Sequence, residues 1–577
     1  MNNSLFRKLP ACLLSLTAVL GWAVEPPAPP AAPVSPKQPN FLFIAIDDLK
    51  PLLGHLGEEP NSFLSEIYPD PAKRAEIREI LSPNLDRLAA QGVEFRRNYC
   101  PAPLCNPSRT ALLTGIETRQ NAIYGNKEQF RHSSLAFVRE AITLPQDLRA
   151  QGYYTAGTGK ILHTGSIQTD KEGRIINDWP DTAHSWDVWI NGAGDGADRG
   201  KTTLSPWSLD DNLFRFGVTT TAPDHMDDYV KADLIARVLE KGAVTTEDTK
   251  VKEEKTIALP ADRPWFLACG IFRPHLPFIV PQEFIDKFNP DDIQVTRAYY
   301  QATVDDTRDL APGGLKFTEH PRDDGEPGKG RFSDMLRQGK GLDPQDGDLK
   351  AWREMIRHYL AAISFADRCV GRLLDALDRS RYRDNTVVVL WSDHGWDLGT
   401  KFRAGKVALW ESTTNCVLMI RDPRTPERFR GQPTFARTSL QDLYRTIAGR
   451  AGVKVPDYVA GRDINPLVLN PAAPWDELPI TTQGARNHAL RSDAYRYIRY
   501  ADDPANAELY VEGADPREHT NRIADPALKS VREQFDALLD ARIKTGPFPY
   551  DLGSGKSDDS DDDAATVRPA RSRRNQP

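Results

Sequence analysis

The run from Phe41 to Ile46 in "NFLFIAIDD" is apolar at every position, and five of its six side chains are bulky. A run without alternation predicts a strand buried on both faces, as in a parallel sheet. "YYTAGTG", "PWFLACGIF" and "NTVVVLWSD" predict three further strands. Between them the apolar period lengthens. In "SPNLDRLAAQGVEF", Leu85, Leu88 and Ala89 share one helical face, Ser82 before Pro83 is a start signal, and Gly92 is a stop. "IRHYLAAISFADRCVGRLLDALDRS" predicts a longer helix. Strands alternating with helices predict an α/β fold, a large and mainly parallel sheet flanked by helices.

The pattern breaks in four places. Residues 165–262 and 295–350 are rich in Asp, Gly, Pro and Thr and read as surface insertions, which near strand ends shape pockets. From about residue 471 to 548 the texture changes to alternating strands and one helix, "DPALKSVREQFDALLDARI", which predicts a small α+β C-terminal subdomain after a main domain at 39–470. The tail 549–577 has few apolar residues and is predicted to be disordered. At the other end, Arg7 and Lys8 precede a short apolar stretch, so residues 1–23 read as a signal peptide, followed by a proline-rich linker at 24–38. No later segment is long and apolar enough to span a membrane. The expected location is secreted or periplasmic.

Composition adds limits. The chain has 577 residues, enough for a large domain plus a smaller one. A net charge of -7 gives no footing for general nucleic-acid binding. Six cysteines, five once the leader is gone, make an odd count and no disulfide framework.

In open α/β sheets ligands gather at the carboxyl ends of the strands. The first predicted strand ends in Asp47-Asp48. The second runs into "GKILH", with Lys160 and His163. The third runs into "RPHLP", with His275. The fourth ends in Asp393-His394, followed by Lys401 and Lys406. Two acidic pairs on one sheet edge suit a divalent cation with oxygen ligands, Ca²⁺ or Mg²⁺. Arg109, Lys160 and Lys406 can surround an anion, and His163 and His275 can move protons near neutral pH. His55, His184, His225, His358 and His488 read as packing or surface residues. In "CNPSR", Asn106 can cap a helix with Pro107 at its first position and Gly115 at its end. Cys105 then stands at a helix N-terminus, either as an inert buried thiol or as an activated thiolate.

Cys-x-Pro-Ser-Arg followed by "TALLTG" resembles the signature of type I sulfatases. The resemblance continues through "GKILH", "FRPHLPFIVP", "WSDHGWDLG", "GKVALWE" and "ELYVEGADPREHTN", and is greatest to iduronate-2-sulfatase-like members. It implies the alkaline-phosphatase-like sulfatase fold and hydrolysis of sulfate esters of carbohydrates. It also implies that a separate maturating enzyme oxidises Cys105 to formylglycine. Asp47, Asp48, Asp393, His394 and the modified Cys105 match the family's calcium site. Arg109 matches the residue that steadies the formylglycine and the metal. Lys160, His163, His275 and Lys406 match the residues that grip sulfate and handle protons, and Ser108 matches the motif serine. Related hydrolases of phosphodiesters or phosphonates, and a non-catalytic binder of sulfated glycans, are the alternatives. One loop departs from the family pattern. "LGTKFRAGKVALWE" lacks an acidic residue after "LG" and has Phe402-Arg403-Ala404 where members often carry aromatic and basic residues.

Overall fold

Eight strands form the main sheet: β1 (Asn40–Ile46), β2 (Val93–Tyr99), β3 (Tyr154–Gly159), β4 (Val188–Ile190), β5 (Trp265–Ile271), β6 (Thr386–Ser392), β7 (Leu418–Arg421) and β8 (Thr434–Ser439). Their order is β8-β2-β7-β6-β1-β5-β3-β4. The computed structural model describes residues 38–544, apart from 60–61, 164–167, 170–174, 192–200, 210–213, 247–254, 320–329 and 339–348. The expected leader at 1–23, the linker at 24–38 (Gln38 aside) and the tail at 549–577 lie outside the described residues. None of the described helices is long and apolar enough to cross a membrane.

The four strands expected from apolar runs are β1, β3, β5 and β6, and they are adjacent in the sheet. β1 pairs in parallel with both β5 and β6, and β5 with β3. Only β7 is reversed, antiparallel to β6 and to β2. It follows β6 through the loop 393–417, with no crossover helix, and so returns in the opposite direction.

Burial on both faces explains the unalternating sequence of β1. Leu42, Ile44 and Ile46 join one core, with helices α3 (Asp227–Lys241) and α4 (Lys350–Arg379). Phe41, Phe43 and Ala45 join the core on the other face, with α2 (Cys105–Thr114) and α5 (Asp442–Ala451). α3 corrects the reading of 165–262 as a surface insertion. Its Leu234, Ile235, Val238 and Leu239 are buried against β5 and α4. Likewise Phe332, Met335 and Leu336, within 295–350, are buried. Both stretches read as loops because their polar connections diluted short apolar helices.

Helix α1 (Pro83–Gln91) starts where the sequence indicates, with Ser82 at the N-cap position, but the Ser82 side chain does not cap it. The Ser82 hydroxyl accepts from Gly54 N and donates to Asp86 instead. The free N–H groups of Asn84 and Leu85 donate to Asp367 on α4, at 2.9 and 2.8 Å. A carboxylate 283 residues away does the capping.

Beyond residue 480, β9 (Ile480–Gln483), β10 (Asn487–Arg491), β11 (Tyr495–Arg499) and β12 (Ala507–Val511) form an antiparallel sheet. One face packs on Phe535, Leu539 and Ile543 of α6 (Lys529–Lys544). The other meets Leu310, Ala311 and Ala408 to Trp410 of the main domain. Arg491 and Arg496 reach from this sheet into the carboxylates of Glu411, Glu512 and Glu518. We propose the boundary at 470/471 as the start of this subdomain.

His55, expected to be a bland surface or packing residue, sits between Asp86 (2.6 Å) and Glu94 (2.9 Å). Burial alone would lower its pKa, but the two carboxylates override that and push it up to about 9. An imidazolium favoured by folding contributes stability fully below about pH 6.5, the unfolded value. That contribution is lost as pH rises through about 9. His55→Gln should remove this alkaline decline from a chemical-denaturation profile measured from pH 6 to 10. A variant that declines as the wild type does would show that His55 is not its source.

Candidate active site

Asp47 and Asp48 leave the carboxyl end of β1, fully buried, and Asp48 adopts a left-handed backbone (φ 58°). That turn is held by the end of the adjacent strand β6 and by α4. Asp48 N donates to Asp393 Oδ1 (3.1 Å), Leu49 N to Ser392 Oγ (2.9 Å), and the hydroxyl of Tyr359 on α4 to Asp48 O (2.8 Å). Asp393 and His394 follow β6, the parallel neighbour of β1, so an Asp-Asp pair and a sequence-distant Asp-His pair share one edge.

α2 brings Cys105 and Arg109 to the same edge. The helix begins at Cys105 itself, with Leu104 at the cap position, so Pro107 is its third residue, not its first. Asn106 does not cap. Its backbone N–H is satisfied by Asn126 Oδ1 (3.1 Å), while its own amide donates to Gly125 O (2.8 Å) and Glu128 O (2.5 Å). Gly115 ends the helix at φ 70°, as the sequence indicates.

Arg109 is the hub. Its Nε donates to Asp393 Oδ2 (2.9 Å), Nη2 to Asp47 Oδ1 (2.8 Å), and Nη1 to the carbonyls of Lys160 (2.6 Å) and Ile161 (3.1 Å). Lys160 Nζ pairs with Asp47 Oδ2 at 2.7 Å. Ser108 Oγ donates to Asp393 O at 2.6 Å. One guanidinium thus fixes the ends of β1, β3 and β6 relative to α2.

The Cys105 sulfur lies 2.9 Å from Lys406 Nζ, 3.4 Å from His394 Nε2 and 3.7 Å from Asp48 Oδ1. Lys406 Nζ also approaches Asp48 Oδ1 (3.2 Å) and His275 Nε2 (3.1 Å). Both histidines face their Nδ1 to a carbonyl: His275 to Leu276 O (2.5 Å), His394 to Gly395 O (2.9 Å). That contact makes Nδ1 the donor and leaves Nε2, the atom pointing into the site, as ligand or proton carrier. Ligand atoms of Asp48, Cys105, Asp393 and His394 all lie within 4.8 Å of one another, as do those of Asp47, Asp48, Cys105 and His275.

The charges are divided unevenly. At Asp393 burial favours the neutral acid, but Arg109 and His394 hold the carboxyl well below the ordinary range. At Asp48 burial is likewise outweighed, by His275, Lys406 and His394, and the carboxyl is lowered. At Asp47 burial wins over Lys160 and Arg109, and the carboxyl is raised.

The sulfatase family profile matches residues 39–453, most of the described chain. The chain belongs to the sulfatase family. A sulfatase of Formosa agariphila is 32% identical over 509 residues, 87% of this chain and 86% of that one. The iduronate 2-sulfatase of Mus musculus is 27% identical over 445 residues, 72% of this chain and 69% of that one. Phosphonate monoester hydrolase of Agrobacterium radiobacter has the same fold, with a TM-score of 0.61 at 20% identity over 88% of this chain and 95% of that one. This sulfatase is accordingly a sulfuric ester hydrolase.

Nine of the ten residues singled out in this sulfatase's sequence are linked by the contacts above: Asp47, Asp48, Cys105, Arg109, Lys160, His275, Asp393, His394 and Lys406. His163 is buried, packed on Trp179 (ring centroids 5.3 Å apart) and lining a small depression with Asn106 and Gln129. Sequence reasoning missed Tyr359, Asn126 and Arg403. Tyr359 lies in the middle of an amphipathic helix and reads as core. Asn126 sits in a polar loop with no motif. Arg403 was visible only as a departure from the family pattern.

Proposed function

We propose that this sulfatase removes sulfate from a sulfated carbohydrate of the iduronate-2-sulfate class, in a secreted or periplasmic setting. We further propose that Cys105 is converted by a separate maturating enzyme to formylglycine, and that one Ca²⁺ is bound. The observation that carries this reading is the position of the Cys105 sulfur, within 3.7 Å of Lys406 and His394 in the loop 393–417 and of the Asp48 carboxylate after β1. Similarity to the mouse iduronate 2-sulfatase and the "RPHLPF" and "SDHGWDLG" motifs support the substrate class.

The residues present fit a hard cation. Asp47, Asp48 and Asp393 offer carboxylate oxygens and His394 offers Nε2, and Arg109 already orients two of the three carboxylates. When present, the hydrated aldehyde supplies the attacking hydroxyl and the cation offsets negative charge beside it. The chain's own groups do the rest. Lys160 and Lys406 hold the sulfuryl oxygens and stabilise charge as it grows there. His275, with Nδ1–H committed to Leu276 O, passes a proton from Nε2 to the departing alcohol. His163 is the group assigned to the proton at residue 105. Arg109 keeps the carboxylates in place.

Matured protein supplied with calcium should hydrolyse an aryl sulfate with a kcat/KM at least about 10²-fold above that for an aryl phosphodiester. It should also release sulfate from a 2-O-sulfated iduronate disaccharide. A preference for the phosphodiester would move the reading to phosphonate-type hydrolysis. Unchanged glycan sulfation after prolonged incubation would favour a non-catalytic glycan binder.

A further inference from the structure

The loop that departs from the family pattern carries Lys406, and its backbone is unusual. Lys401, Phe402 and Val407 have φ of 50°, 52° and 82°. For a β-branched valine that is a genuine outlier, and such conformations persist only where surroundings enforce them. The enforcing contacts converge on Arg403, which is nearly buried at 8% exposure. Arg403 Nη1 pairs with Asp397 Oδ2 at 2.5 Å, across the short hairpin formed by Asp397–Leu398 and Ala404–Gly405. Nη2 donates to the carbonyl oxygen of Lys406 itself. Nε donates to Phe317 O at 2.6 Å, on the segment 295–350. The same segment receives the loop elsewhere. Glu319 N donates to Phe402 O (3.0 Å), and Phe332 packs edge-on against Phe402. Lys401, fully buried, pairs with Asp306 (2.9 Å) and donates to Glu518 O (2.5 Å).

We infer that Arg403 is a positioning residue for Lys406, and that Asp306, Phe317 and Glu319 serve this sulfatase by clamping the loop that carries it. The inference rests on the reading of Lys406 as a sulfate-holding group. A planar guanidinium with three separately directed donors can bind a carboxylate and two carbonyls at once, which a lysine ammonium on a flexible stem does less well. With the carbonyl of Lys406 fixed, its side chain leaves the backbone at one angle and Nζ meets Cys105, Asp48 and His275 together. Without the clamp the strained loop has other conformations to relax into, and Nζ loses its fixed position.

A double-mutant cycle separates positioning from general stabilisation. kcat/KM for an aryl sulfate is measured for wild type, Arg403→Ala, Lys406→Ala and the double variant, at temperatures where each is folded. In the wild-type background Arg403→Ala should cost roughly 10²-fold, the scale of an ångström-sized misplacement. In the Lys406→Ala background it should cost less than about twofold, since nothing is left to position. Arg403→Lys keeps the charge and is the second variant, should alanine unfold the loop. Its loss should vanish in the same way when Lys406 is absent. Equal losses in both backgrounds would overturn the inference and leave Lys406's own role standing. Wild-type activity in Lys406→Ala would instead sink the reading of Lys406, and the positioning role with it.

Discussion

Cys105→Ala should lower turnover of a sulfate ester by at least about 10⁴-fold and leave the fold intact. On the proposed mechanism residue 105 supplies the aldehyde, and Lys406, His394 and Asp48 converge on its sulfur. Loss of the fold is not expected. The change removes a single sulfur from the first residue of α2, and alanine is the best helix former. The Arg109 contacts that tie α2 to the sheet do not involve it. Cys105→Ser tests the chemistry more sharply. Serine restores one hydroxyl but not a second oxygen on the same carbon, so release of bound sulfate by collapse to an aldehyde is denied to it. Where mass spectrometry shows the serine to be unoxidised, the variant should be inactive in steady state. Turnover near wild type in Cys105→Ala, or in Cys105→Ser carrying an unoxidised serine, would end the formylglycine proposal. Mass spectrometry of the peptide containing Cys105, from protein made with its maturating enzyme, checks the same point independently.

Arg109→Ala should be both inactive and unstable. Its guanidinium is fully buried and binds two carboxylates and two carbonyls. Removing one partner of a buried ionic network leaves charge stranded in the interior, which costs about 3–5 kcal/mol. Denaturant unfolding should show that loss, and kcat/KM measured below the unfolding range should fall as Asp47 and Asp393 are released. Arg109→Lys should rescue little, because one ammonium cannot reach four acceptors on three strand ends. A well-folded, active Arg109→Ala would mean that the strand ends are held by something else.

Much of the site could be read from the chain. Asp47-Asp48 and Asp393-His394 stand directly after apolar strands, and the physics of a doubly covered sheet puts such pairs on one edge. "CNPSR" and "GKILH" carried the rest through resemblance. What was misread has a common cause. Ser82 and Asn106 carry local capping signals, yet distant side chains, Asp367 and Asn126, took their places. α3 was hidden between polar connections, and Tyr359 looked like one more apolar helix position.

The sequence by itself determined the four central strands, the resemblance to the family and the residues proposed for the site. Those follow from period, spacing and residue type, which are local properties of the chain. Only the tertiary structure decided that Nε2 of His275 and His394 faces the site, that Arg109 spans three strand ends, and that Arg403 grips the Lys406 loop. Arg109 meets acceptors 51 to 284 residues away, and Arg403 is tied to Phe317, 86 residues away. The two histidines are turned by the carbonyls of their next neighbours, Leu276 and Gly395, and only the fold sets which way those carbonyls face.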